Sequence, residues 1–290
     1  MVLQACHQVR QVIAEAILII VKDVKGVATS HGRSHHARMS NPLLSETYFQ
    51  KVARNEGQVG SSTMTVSGTI IKTSWLLAVL LVTLGMMWSA FWNEGHPQIE
   101  RFGGWMVGGV IVGLIAILIQ TFAPRAAPFT GHIYAVAEGV VLGGLTMMVQ
   151  LRYPGQDLAL LAGCYTAATM IGMLLLYQLG IIKATAGFNR GVFAATAGLA
   201  IGCGLLWILS MFGIGHGVMS ALYGNGTVGI VFSLVCIVLA ALNLVMDFGF
   251  IEQGAARGLP KNMEWVAAVG LLVTLVWLYI EILRLLTKRK

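Results

Sequence analysis

The sequence predicts an all-α polytopic membrane protein, a bundle of seven transmembrane helices, from its composition and its charge-free stretches. Of 290 residues, 57% are hydrophobic and only 11% are charged, against about 25% charged in an ordinary soluble domain. No formal charge occurs in 73–93, 102–124, 158–182 or 191–246. Because about 20 apolar residues cross the hydrocarbon core as a helix, these stretches exclude a soluble enzyme and a disordered chain.

Proline, glycine and clusters of charge divide the apolar stretches into seven predicted spans. In chain order, the spans are 72–93, 103–122, 132–151, 157–179, 190–212, 226–250 and 263–286. The 56 uncharged residues of 191–246 exceed any single crossing, so they predict a hairpin of two spans. Six glycines between positions 213 and 229 mark its turn.

Glycines recur at four-residue spacing on the second, third and fifth spans. The pairs are Gly104 and Gly108, Gly109 and Gly113, Gly139 and Gly143, and Gly198 and Gly202. Small residues at this spacing let two helix backbones approach closely in a membrane, so each pair predicts a packing seam.

The formal net charge of +7 indicates membrane orientation here, because the basic residues lie in short loops and tails. We therefore expect the lipid bilayer, and no nucleic acid, as the surrounding partner. The loops on the N-terminal side hold five Lys and Arg and the opposite loops hold two, which predicts a cytoplasmic N-terminus. With seven spans and this orientation, the C-terminal tail lies outside, although its basic residues favour the cytoplasm. Either the last span crosses against the rule, or it is re-entrant and six full crossings remain. Oligomeric state is left open.

The N-terminal region differs from the rest of the chain. Residues 1–38 contain an apolar run too short for a span, and two accounts stay open: a disordered arm, or a start assigned too early with Met39 as the physiological start. We expect a cytoplasmic segment over 39–71 and the transmembrane domain over 72–290. The clustered histidines His31, His35 and His36 have no carboxylate or thiolate beside them, so no metal or other resident cofactor is predicted.

Catalytic motifs are absent from the sequence, which predicts that the protein is not an enzyme. It contains neither G-x-S-x-G nor H-E-x-x-H. Residues 224–229 match the G-x-G-x-x-G dinucleotide pattern, but no strand precedes them and the helix that they open is a predicted span.

Three carboxylates, those of Glu138, Asp247 and Glu281, fall inside predicted spans at least three residues from either end. An acid at the bilayer centre costs about 2.5–3.5 kcal/mol on insertion scales, so each is a candidate functional residue. If the third helix starts near His132, Glu138 lies about 9 Å below that surface. Asp247 lies about one turn before Phe250, the predicted end of the sixth span, and therefore at a similar depth.

Each of these two acids has a polar residue four positions earlier on the same helical face: Asn243 before Asp247, and Tyr134 before Glu138. If the two acids face each other, they would share a proton or transiently hold a hard cation such as calcium, forming a pH-sensitive gate. The alternative for both is an acid that reaches the membrane surface.

Glu281 has a simpler explanation. Arg284 follows three residues later, on the same helical face, so a local ion pair accounts for this acid. Glu281 is therefore the weakest of the three candidates for a proton or cation site.

Several segments together resemble the bacterial YccA-like branch of the Bax inhibitor family. They are 40–45 (SNPLLS), 64–73 (MTVSGTIIKT), 134–139 (YAVAEG), 247–254 (DFGFIEQG), 264–268 (EWVAA) and 275–281 (LVWLYIE). The resemblance covers residues 39–290. It implies six or seven helices around a central one, in a bacterial inner membrane.

The resemblance also implies two kinds of function. Some members are described as pH-sensitive calcium leaks gated by an aspartate pair on the last two helices. Asp247 takes the first position of that pair, but the second falls on Leu275 or Leu278. We therefore expect a proton-sensitive calcium or cation leak that uses Asp247 and Glu138. The alternative is a non-conducting protein that binds and modulates a membrane quality-control protease, as other members do.

Overall fold

The computed structural model describes residues 63–93, 96–97 and 99–288. The predicted arm 1–38, which includes the clustered histidines His31, His35 and His36, and most of the segment 39–71 lie outside these residues.

Seven long apolar helices and one short helix make up the described part of the chain, which confirms the all-α, seven-helix fold. The helices are α1 Val66–Phe91, α2 Ile99–Phe122, α3 Ala127–Arg152, α4 Leu158–Gln178, α5 Ala186–Met211, the short α6 His216–Tyr223, α7 Thr227–Ala256 and α8 Met263–Lys288. Two-residue strands, β1 Trp92–Asn93 and β2 His96–Pro97, pair antiparallel between α1 and α2. A 3-10 turn, Pro124–Ala126, precedes α3.

Several helices extend beyond the predicted spans. Helix α1 begins six residues earlier than predicted, because the Thr65 hydroxyl caps it by accepting from the Gly68 amide at 3.0 Å. Helix α3 begins at Ala127, and α7 continues to Ala256, past the charged Glu252. Helix α8 is continuous over 26 residues, or about 39 Å, which favours a full crossing over a re-entrant last span.

Burial divides the long helices into two classes. In the most apolar stretch of each helix, 72% of the α3 residues and 83% of the α8 residues are buried, against 17–33% in the other five. Those five expose large apolar side chains, such as Ile71, Leu160 and Met211. Apolar surface of this extent is expected where helices face lipid, so α3 and α8 are the helices enclosed by protein.

The chain forms two compact units. Unit 1 contains α1, α2, α3, the end of α7 from Phe250, and α8 up to Val273. Unit 2 contains α4, α5, α6, α7 up to Gly249, and α8 from Thr274.

In unit 1, α3 packs against both α1 and α2. Gly139 permits the close approach of α1, because a Cβ at this position would lie 2.6 Å from the Leu80 carbonyl oxygen and 2.7 Å from Thr83 Cβ. Gly143, one turn later, lies against Met87 in the same way. The seam predicted from this pair of glycines is therefore present.

Two other predicted seams are wrong. An added Cβ at Gly104, Gly108, Gly198 or Gly202 would have no neighbour within 4 Å among the residues that the structure describes. Four-residue spacing marks where helices could approach, but not which glycines meet a partner.

We predict that Gly139→Ala destabilises the protein by about 1–3 kcal/mol, the usual cost of overpacking. The added methyl group would overlap a backbone oxygen of α1, which cannot move without shifting the helix. The measurement is thermal unfolding in detergent. Gly198→Ala is the matched control and should unfold at or above the wild-type temperature, since alanine favours the helix and has room there. Equal effects of the two changes would contradict the packing argument.

Candidate functional site

Asp247 lies in unit 2 as a buried carboxylate that joins α7 to α8. Its side chain is 4% exposed, and its Oδ2 accepts a hydrogen bond from Thr274 Oγ1 at 2.7 Å. Because α7 continues to Ala256, Asp247 lies nine residues, or about 14 Å, before the helix end. The prediction that Asp247 lies about one turn from its helix end is therefore wrong, and the surface alternative stays a prediction.

The two residues that follow Asp247 on α7 contact the end of α4 and the connection between α4 and α5. Phe248 packs against the Tyr177 ring, with 6.1 Å between the ring centroids. Gly249 contacts Ala184 so closely that a Cβ on this glycine would overlap the alanine side chain. Tyr177 and Ala184 therefore hold the α7 turn that carries the carboxylate.

Thr274 occupies the place opposite Asp247 on the last helix. The resemblance put the second acid at Leu275 or Leu278, and the structure brings the preceding residue, Thr274, to Asp247 instead. In this chain, a neutral hydroxyl therefore faces the aspartate from α8.

Asn243, four residues before Asp247, bonds to α5 and to its own helix. Its amide nitrogen donates to Thr196 Oγ1 of α5 at 2.9 Å and to the Leu239 carbonyl at 2.8 Å. A side-chain amide has two hydrogens, and these two contacts use both of them. Asn243 thus joins α7 to α5 and does not donate to Asp247.

Glu138 lies in unit 1, on α3, and is hydrogen-bonded to the Tyr134 hydroxyl four residues earlier. Its Oε1 points toward α2, where a Cβ on Gly113 would be 3.9 Å away. Its Oε2 is buried and has no hydrogen-bond partner among the described residues. Since α3 begins at Ala127, Glu138 lies eleven residues, or about 16 Å, from the start of the helix, which is farther than predicted.

The two candidate acids belong to different compact units. Each has a hydroxyl partner within its own unit, Thr274 for Asp247 and Tyr134 for Glu138. The proposed sharing of a proton or cation between them stays a prediction.

Glu281 forms the local ion pair that its spacing indicates. Arg284 Nη1 donates to both carboxylate oxygens, at 2.9 and 3.0 Å, and its guanidinium lies 5.5 Å from the centroid of the Tyr223 ring. Lys288 is 5% exposed and donates to Ser233 Oγ and to two backbone carbonyls. These two basic residues are therefore held inside unit 2.

A buried carboxylate that the sequence did not predict as a site, that of Glu264, lies at the start of α8 in unit 1. It is fully buried, and its Oε1 accepts from both the backbone amide and the hydroxyl of Thr65 at 2.9 Å. Its Oε2 forms an ion pair with Lys72. Gly68 lies directly against this carboxylate, and any Cβ there would overlap it. One residue of α8 thus fastens the first turns of α1.

Aromatic residues surround this ion pair. Lys72 Nζ lies 5.2 Å from the centroid of the Trp265 ring, and the His132 ring lies 5.1 Å from the same indole. Trp75 donates its indole N–H to His132 Nε2 at 2.8 Å. Together these residues join the starts of α1, α3 and α8.

A signal for the Glu264 cluster is present in the sequence. The segments 64–73 and 264–268 each carry one charge, of opposite sign, and both belong to the family resemblance. A charge at the end of a buried helix needs a partner, so these two opposite charges indicate a contact between the two segments.

The comparison with known families gives one match. The family model described as Bax inhibitor 1 like matches residues 41–290. No curated protein and no solved structure matches the chain.

We predict that Glu264→Gln lowers the free energy of unfolding by about 3 kcal/mol, because it leaves the largely buried Lys72 without its counter-charge. Unfolding in detergent measures this loss, and the exposed Glu252→Gln is the matched control. The double variant Lys72→Met/Glu264→Gln should be less destabilised than the sum of the single variants. Additive effects would show that the pair is not coupled.

Proposed function

Because the chain belongs to the Bax inhibitor 1 like family, we propose that it is a proton-gated cation leak, with calcium the expected ion and Asp247 the gate. Glu138 is proposed as a second titrating group. The proposal carries with it the predicted setting, a bacterial inner membrane with the N-terminus in the cytoplasm.

The hydrogen bond from Thr274 to Asp247 is the observation that best supports this proposal. It joins two membrane-spanning helices within unit 2, and its acceptor is a carboxylate buried far from either helix end. An ionisable residue at such a depth is costly, so its presence favours a functional role over a structural one.

The chemistry of this contact gives a direction for gating. A hydrogen bond to an ionised carboxylate is roughly twice as strong as one between neutral groups. Protonation of Asp247 therefore weakens the link between α7 and α8, and we expect the leak to increase on acidification. The carboxylate and hydroxyl oxygens are ligands that hard cations such as calcium prefer.

We predict that Asp247→Asn gives a leak with little dependence on pH, because an amide mimics the protonated carboxyl at every pH. The measurement is calcium flux into dye-loaded liposomes containing purified protein, from about pH 5 to pH 8. Glu138→Gln should reduce the pH dependence in part. If the two acids share a proton, the double variant should resemble Asp247→Asn alone. Unchanged pH dependence in both single variants would contradict the proposal.

The hydroxyl of Thr274 provides a second test. Thr274→Val keeps the shape and removes the donor, so flux at neutral pH should rise toward its acidic value. Thr169→Val is the matched control, since its hydroxyl bonds within its own helix, to the Tyr165 carbonyl one turn earlier on α4. A rise in both variants would indicate a general loss of integrity.

Absence of flux in the wild-type protein at every pH would overturn the leak. It would leave the other class of function that the family resemblance implies, a non-conducting protein that binds and modulates a membrane quality-control protease.

A further inference from the structure

His132, near the start of α3 in unit 1, has both ring nitrogens in short contacts. Nε2 lies 2.8 Å from the indole nitrogen of Trp75, and Nδ1 lies 2.6 Å from the Pro128 carbonyl oxygen. An indole N–H only donates and a carbonyl oxygen only accepts. Nε2 must therefore be unprotonated, and Nδ1 must carry the hydrogen. The two contacts define a neutral ring in one tautomer.

We propose that His132 is an acid-sensitive switch on the contact between α1 and α3, separate from the proposed gate at Asp247. A second proton would go to Nε2 and would place two N–H groups against each other. Neither group accepts a hydrogen bond, so the contact with Trp75 must open. Histidine is the side chain that ordinarily exchanges a proton between pH 5 and 8.

Within the described part of the chain, the charged groups near His132 come from α1 and α8. Lys72 of α1 lies 5.2 Å from the centroid of the Trp265 ring that His132 also contacts, and Glu264 of α8 is bound to Lys72. On its α2 side, His132 borders an apolar groove of about 690 Å³. The negative charge of Glu264 is thus already matched by Lys72.

Protonation of His132 removes one of its two aromatic partners and keeps the other. An imidazolium is attracted to the face of an indole, so the charged ring keeps Trp265 and loses Trp75. The Trp75 side chain is 56% exposed and has room to turn outward. The contact between the start of α1 and the start of α3 is then lost, while α1 stays packed on α3 at Gly139 and fastened to α8 through Glu264. The switch acts on helix packing and does not require conduction.

Nitrogen-15 spectra of histidine-labelled wild-type protein in lipid nanodiscs test the tautomer. The His132 signals are identified by their loss in His132→Gln. At pH 8, we expect hydrogen on Nδ1 and a bare Nε2. A ring with hydrogen on Nε2 would overturn the proposal.

Tryptophan fluorescence tests the switch itself. Between pH 8 and pH 5, the wild type should show a sigmoidal change in emission that is lost in both His132→Gln and Trp75→Phe. The change should persist in Trp207→Phe, a control on α5 in unit 2, and in Asp247→Asn, which separates this proposal from the proposed gate. A wild type without the change, or a change that survives in His132→Gln, would overturn the switch.

Discussion

The carboxylate of Glu264 is the constraint on which the packing of unit 1 depends. A buried charge is tolerated only when a counter-charge and hydrogen bonds compensate its lost hydration. Among the described residues, the compensation comes from the start of α1, through the amide and hydroxyl of the capping Thr65 and the ammonium of Lys72. The requirement extends to Gly68, where no side chain fits. The start of one helix is thus defined by a residue of another.

The buried carboxylates fall into two chemical groups according to their partners. Glu264 and Glu281 each face a cation, so their charge is balanced by fixed structure. Asp247 and Glu138 each accept a hydrogen bond from a neutral hydroxyl. A carboxylate that faces a hydroxyl has no fixed counter-charge within that contact, and gaining a proton does not break an ion pair. This difference in partners separates acids held in ion pairs from acids whose protonation breaks no ion pair.

The fold could be predicted from the sequence because the bilayer imposes a length on each apolar stretch. Helix ends could not, because capping and continued hydrogen bonding depend on local contacts. The sixth span is predicted to end at Phe250, yet α7 continues past Glu252, and this places Asp247 farther from its helix end than predicted.

The candidate site could be predicted only in part. Tyr134 meets Glu138 because four residues make one helical turn, a regularity that the sequence contains. Glu264 meets Lys72 across 192 residues, and no local pattern specifies that contact. Thr274 was overlooked because a threonine in an apolar helix is common, and only the packing of α7 on α8 gives its hydroxyl a partner.

The distance along the chain between Thr65 and Glu264 has a consequence for biosynthesis. The two residues are 199 positions apart, so at about 5–20 residues per second the ribosome needs about 10–40 s to supply the partner of α1. During that interval, Lys72 is an uncompensated positive charge at the start of the first apolar stretch, where such a charge directs orientation. The same lysine would therefore act first as a topological signal during insertion and later as one half of an internal ion pair.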